Sequence, residues 1–318
     1  MNKRILLSGF MLLSCSLLFF AAAFYWRIYR PQSAEEGKPL FAATVSEPRT
    51  DRVILKNSDY TVTLVRENNY WKVAEADFYY ANSLRLEKLF NAFDRAVYSL
   101  CMKETGNGAD KYGFRNGLKI QTYAGEKLLD AYSFGNNDPY NQYRFFRPSG
   151  ENKICQTETK FDFPQKFYSW LQQPLMQLLE SDVREIKIIA DNGKERLISR
   201  TAEFLPLLDT DSSRSVNLQN FFDVTGFLSF TDVLSARNFS EDTALTGTID
   251  ITLFSGLVYK MQLFRRNDSF WLKVNLSSTA LPTAGIGDYI KDNAFLYDGW
   301  YFRLSTSKGK VLSDLIAD

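Results

Sequence analysis

Hydrophobic and polar positions alternate along most of this chain, but its first thirty residues do not alternate at all. Ile5 to Trp26 is an unbroken apolar run, closed by Phe24, Tyr25 and Trp26 and followed by Arg27 and Arg30. About 22 residues at 1.5 Å each reach roughly 33 Å, enough to cross the hydrocarbon core of a bilayer. An aromatic cluster followed by basic residues is how a span ends at the headgroup level. The pattern predicts a signal anchor or transmembrane helix over 1–30. Two other readings of the same stretch stay open. One is lipid attachment at Cys15 after "LLSC", against which the apolar continuation "SLLFFAAAFYW" weighs; the other is cleavage after "AAA" at 21–23. Lys3 and Arg4 before the run nearly balance Arg27, Arg30 and Lys38 after it, so charge alone does not orient it. A long C-terminal portion behind a short N-terminus usually goes outward, which places residues after the run in the periplasm of a bacterial inner-membrane protein.

From residue 31 to 51 the pattern lapses. Pro31, Pro39 and Pro48 lie among small and charged residues, and the segment is expected to be an extended tether. Alternation then begins abruptly. "RVILKN", "YTVTLVREN" and "YWKVAEA" predict a three-stranded meander in which Tyr60, Val62 and Leu64 share a face. Asn82 or Ser83 caps a predicted helix with Leu86, Phe90, Phe93 and Val97 at helical spacing. "LKIQTYAGEKLLDAYSFG", "QYRFFRPSG" and "NKICQTE" read as hairpin strands, and "FPQKFYSWLQQPLMQLL" (163–179) as a closing helix interrupted by Pro174. The order repeats with the strand pair in "EIKIIADNGKERLISR", a helix carrying Leu218, Phe221, Phe222 and Thr225, and three strands from "GTIDITL" onward. "IQTYAGEKLLDAYSF" and "DITLFSGLVYKMQLF" share a strand, glycine turn, strand order. The expected fold is therefore α+β, with duplicated strand–strand–helix–antiparallel-strand units over 52–180 and 181–318 behind the N-terminal transmembrane helix.

Composition narrows the chemistry. The 318 residues carry a net charge of +1 and no Lys/Arg-rich tract, which gives no reason to expect nucleic acid. There is no histidine, and so no imidazole base and no histidine metal ligand. The aromatics, 15% of the chain, fit a sheet-rich core. "GNGADKYG" (106–113) lacks the Lys-Ser/Thr ending of a phosphate loop, and "GIGDYI" (285–290) lacks a preceding strand. "DTDSSR" (209–214) starts like a calcium loop but has Arg214 where that loop needs glycine and Asn220 where it needs a bidentate carboxylate. Asp288 and Asp292 fall one helical turn apart with nothing nearby to define a reaction. The chain is expected to be no enzyme, with no cofactor and no metal site.

Two pairings of residues remain as candidates. Cys101 and Cys155 could form a disulfide in an oxidising compartment, or stay as two buried thiols. "YNQYRFFR" (140–147) interleaves aromatic and arginine side chains in the manner of an interface hot spot. Its candidate interface residues are Tyr140, Tyr143, Arg144, Phe146 and Arg147, although a strand with one face in the core accounts for the stretch equally well.

The order of short motifs resembles that of the domain-of-unknown-function 4340 family. The residues that carry the likeness are "NYWKV", "NSLRLEKLFNAF", "DKYGF" before a strand ending in Gly135, "YRFFR" before "NKICQTE", and the closing "DGWYFRLS". "YGF" stands where the family more often has Tyr-Gly-Leu. The resemblance implies a membrane-anchored extracytoplasmic domain without known catalytic residues, associated with ABC-type transport systems such as gliding-motility auxiliary components. The expected function is thus a periplasmic accessory or scaffold subunit whose partner is an inner-membrane permease/ATPase complex. A binding module for glycan, peptide or lipid is the alternative, and a carboxylate-based hydrolase a remote one.

Overall fold

The computed structural model describes residues 35–46, 50–104, 111–209, 218–239 and 243–317. Period-two patterning dominates the outcome. The first sheet holds β1 (Arg52–Lys56), β2 (Thr61–Glu67), β3 (Tyr70–Val73), β4 (Tyr79–Tyr80), β5 (Cys101–Lys103), β6 (Leu118–Ala124), β7 (Lys127–Asn137), β8 (Arg144–Pro148) and β9 (Lys153–Thr157). Their spatial order is β4-β3-β2-β1-β6-β7-β8-β9-β5. The second sheet holds β10 (Val183–Ala190), β11 (Glu195–Ser199), β12 (Leu208–Asp209), β13 (Asp232–Ser235), β14 (Ala244–Leu253), β15 (Leu257–Arg266), β16 (Ser269–Ser278) and β17 (Trp300–Arg303). Its order is β12-β11-β10-β14-β15-β16-β17-β13. Neighbouring strands run antiparallel throughout, and the inward-facing residues are those the alternation marks: Val53 and Leu55, Val62 and Leu64, Ile186 and Ile188, Ile249 and Ile251.

Five α-helices accompany the sheets among the described residues: α1 (Ala42–Ser46), α2 (Ser83–Arg95), α3 (Leu218–Thr225), α4 (Ile286–Asn293) and α5 (Thr306–Ala317). Asn82 caps α2 by accepting the backbone N–H of Arg85 at 3.1 Å, and Leu89 and Phe93 are its buried residues. Helix α5 lies against the second sheet, burying Leu312, Leu315 and Ile316. The expected α+β fold is corrected by this arrangement. The molecule is a β-rich fold of two large antiparallel sheets, and its short helices cover sheet faces rather than forming a comparable layer. Among the described residues no helix is long and apolar enough to cross a membrane. The apolar run 5–26 lies outside the described residues.

Two local expectations are also corrected. The segment expected to be a tether is folded from Glu35 to Ser46. Its residues 37–40 pair with 96–98 through Leu40 N–H to Ala96 O at 2.7 Å and Tyr98 N–H to Lys38 O at 2.9 Å. Leu40 and Phe41 are fully buried, and Phe41 stacks on Phe93 with ring centroids 4.1 Å apart. Burying two such side chains is worth about 1.5–3 kcal/mol each, which is why the segment does not stay extended. The expected closing helix at 163–179 is instead a single 3-10 turn, Phe167–Trp170, followed by irregular chain. Pro164 and Pro174 lack the N–H that a helix ladder needs. Residues 170–178 run between the sheets, bridging Ala81 to Leu171 on one side and Met176 to Leu228 on the other.

The sheets meet at an aromatic seam. Tyr79 on β4 is fully buried with its ring edge-on to Phe230, Trp300 and Phe302, at 5.1–5.7 Å. The Tyr79 hydroxyl donates to Leu296 O at 3.2 Å and the Tyr297 hydroxyl to Leu175 O at 2.8 Å. Asp77, just before β4, completes the seam from its surface side. Its carboxylate accepts from the Ser235 N–H at 3.0 Å, the Ser235 hydroxyl at 3.2 Å and the Asn238 amide at 2.8 Å.

Candidate functional site

Helix α2 is bordered by two clefts, and both are built from the fold features just described. The first, of about 350 Å³, opens between α1, β2, β3 and α2, where Phe90 and Phe93 face Trp71 and Val45. Its two threonines are committed to the fold, while Arg66 and Asp94 complete the polar lining. Thr44 donates its N–H and hydroxyl to Asp130 at 2.8 and 2.6 Å and lies 2.5 Å from the Thr122 hydroxyl, while Thr50 donates to Thr44 O at 3.2 Å. This buried network pins α1 to β6 and β7. The second cleft, of about 590 Å³, lies on the opposite flank of α2. Its walls are Lys88, Asn91 and Arg95 from the helix and Glu158, Thr159 and Lys160 from the chain after β9, over a floor of Ala92 and Val97. Thr159 donates its hydroxyl to Arg95 O at 3.3 Å and so ties the two walls together.

The candidate interface residues do not form one face. Phe146 is fully buried in the first sheet, directly opposite Phe134. Arg144 points the same way, its guanidinium 5.7 Å from the Phe134 ring and bonded to Gly135 O at 3.1 Å; burial pushes its pKa down. Arg147 faces the other side, paired with Glu104 and placed 4.9 Å over the Phe114 ring. Tyr143 is half-buried, and Tyr140 is exposed on the turn before β8. That turn is organised by Asp138. Its carboxylate accepts backbone N–H groups from Tyr143, Gln142 and Tyr140, and these hold it below the usual aspartate range. The interleaving of aromatics and arginines is the signature of a strand covered on both faces.

Cys101 on β5 and Cys155 on β9 stand directly opposite each other and are joined as a disulfide with S–S 2.06 Å. Glu35 lies close enough to both sulfurs to complete a three-donor cluster. All three groups are engaged, however: the sulfurs with each other and Glu35 with Lys153 at 2.6 and 2.7 Å. The set fits no metal in this state.

Groups with shifted protonation are bolts of the fold. Burial raises Tyr79, Tyr132, Tyr259 and Tyr297, and three of these hydroxyls donate to backbone carbonyls: Tyr79 to Leu296, Tyr132 to Leu40 and Tyr297 to Leu175. Two carboxylates whose environments push them apart would suggest an acid and a base. Asp232, raised mainly by burial, and Asp77, lowered overall, are such a pair. Yet neither lines either cleft, and the Asp77 carboxylate is taken up by Ser235 and Asn238. On the outward side of the second sheet Phe239 stacks on Tyr301 at 3.7 Å beside Phe264 and Trp271, so this aromatic platform is already filled by the chain itself.

Residues 71–234 match the family model described as "Domain of unknown function (DUF4340)". The matched span starts in β3 and ends in β13, so it draws on both sheets. No curated protein and no solved structure matches the chain.

Proposed function

The chain belongs to the DUF4340 family of domains of unknown function, and from that premise we propose that it is a non-enzymatic accessory subunit, held at the bacterial inner membrane by residues 5–26 with its two-sheet domain in the periplasm. Its partner in this reading is a protein of the envelope, an ABC-type permease/ATPase complex. One observation carries the proposal: among the described residues no group with shifted protonation lines either cleft beside α2, and Tyr79, Tyr297 and Asp77 are held by hydrogen bonds within the fold. A disulfide between β5 and β9 supports an oxidising compartment. The apolar run supports the anchor.

The test is affinity purification of the full-length protein from gently solubilised native membranes, with the intact mass read from the same sample. The expected result is an uncleaved, unacylated chain, two mass units below the fully reduced value, with a membrane transport component in stoichiometric amount. A mature chain that starts at an acylated Cys15 would replace the helical anchor by a lipid one. A preparation without any partner would overturn the accessory-subunit reading.

A further inference from the structure

Unspent positive charge collects in the second cleft beside α2. Lys88, Asn91 and Arg95 are spaced by three and four residues, so they stand in a row on one flank of the helix. Several other arginines and lysines of α2 and the first sheet have found carboxylates: Arg85 with Asp162, Arg147 with Glu104, Lys72 with Glu67, and Lys153 with Glu35 and Glu151. Among the described residues Lys88, Arg95 and Lys160 have no such partner, and all three converge on one concavity whose sole carboxylate is Glu158. The groove therefore carries a net charge of about two positive units on walls that do not depend on its being filled. Asn82 caps one wall, and the other leaves β9, which the disulfide staples to β5.

We propose that this groove docks an acidic segment of the partner polypeptide. The inference rests on the accessory-subunit reading and adds the chemistry of the contact. Lys88 and Arg95 are seven residues apart, about 10 Å along the helix axis, which an extended chain covers in about three residues. Carboxylates at that spacing meet both cations, and Lys160 meets them from the opposite wall. The Asn91 amide sits between the two helix cations, where it can bond a peptide backbone group. The concave shape favours a peptide over a bilayer surface. A flat array of lipid headgroups does not follow a concave wall, so it meets Lys88, Arg95 and Lys160 less closely than a peptide does.

The test titrates full-length protein in uncharged detergent against a fluorescent peptide of mixed Glu and Asp, with its Gln/Asn counterpart as control, read by anisotropy. The acidic peptide is expected to bind and the neutral one not. Raising salt from about 50 to about 500 mM should weaken binding about tenfold or more. Lys88→Glu, Arg95→Glu and Lys160→Glu together should weaken it at least about tenfold, while Lys56→Glu, Lys119→Glu and Lys127→Glu together leave it unchanged. The reversed side chains are exposed, so circular dichroism should report an unaltered fold in both variants. Equal affinity of the wild type and the groove variant overturns the proposal. So does binding of phosphatidylglycerol vesicles through these three residues without binding of the peptide, which would assign the groove to lipid headgroups. Purification from native membranes separates the two claims. If the groove variant keeps the partner, the groove proposal fails and the accessory-subunit reading stands; if the wild type itself has no partner, that reading fails and the peptide titration alone decides the groove.

Discussion

Asp77 shows how a single side chain serves both sheets. It sits at φ 52°, a left-handed conformation that Asp and Asn tolerate better than most residues, and this turns its carboxylate toward Ser235 and Asn238. Burial alone would raise its pKa, but the three donors outweigh burial and hold it below the ordinary 3.8. A group depressed in the folded state contributes stability that is complete above its unfolded value and lost as pH falls through the folded one. Asp77→Asn keeps the backbone conformation and removes the charge. It should cost about 1 kcal/mol in urea unfolding at neutral pH. The gap between variant and wild type should close as the pH is lowered below about 4. A gap that persists at low pH would mean that the carboxylate charge does not contribute.

At the scale of elements, packing overrides propensity in α5. Gly309 lies inside this helix, where alanine would ordinarily be favoured by about 1 kcal/mol. A Cβ at that position would lie 2.3 Å from the ring of Phe270, so the helix rests on β16 through its backbone. Overpacking of this kind costs about 1–3 kcal/mol, and the clash should win. Gly309→Ala is expected to lower the thermal midpoint, and Phe270→Leu in the same chain to recover part of the loss. A raised midpoint for the single variant would show that Phe270 yields without cost. Helix α2 illustrates what the pattern of a single element leaves open. Its cap and its inward Phe93 were legible in "NSLRLEKLFNAF", while the row of Lys88, Asn91 and Arg95 gained meaning only with the wall that faces it. The wall opposite that row comes from residues more than sixty positions away, and no local signal announces it. In the stretch 140–147 the structure divides the aromatics and arginines between two faces of β8, one against the core and one against Phe114 and Tyr112, a division that composition alone does not show.

Across the whole molecule, the Tyr79 seam decides whether the two sheets behave as one unit. Its ring touches side chains of the second sheet while its own strand belongs to the first. The wild type is expected to unfold in one transition, with matching calorimetric and van't Hoff enthalpies. Tyr79→Ala should cost about 3–5 kcal/mol and separate the melting of the two sheets, so that the calorimetric enthalpy exceeds the van't Hoff value. A single sharp transition in the variant would place the coupling elsewhere, in the shared segment 170–178.

What the sequence by itself determined is local. Alternation located β6 with β7 and β14 to β16, turn residues separated them, and Asn82 started α2, because each of these depends on neighbours within a few residues. Matters of long-range pairing were decided only in the tertiary structure. Leu40 and Phe41 belong to the core because Phe93 and Tyr132 wait there, and residues 170–178 stay irregular because Ala81 and Leu228 take up their backbone groups. Cys101 faces Cys155 because β5 adds to the far side of β9. The dominance of sheet over helix has the same origin. Strands find their hydrogen-bond partners in distant parts of the chain, and whether a short amphipathic helix becomes a layer or merely a cover depends on the surface those strands have already built.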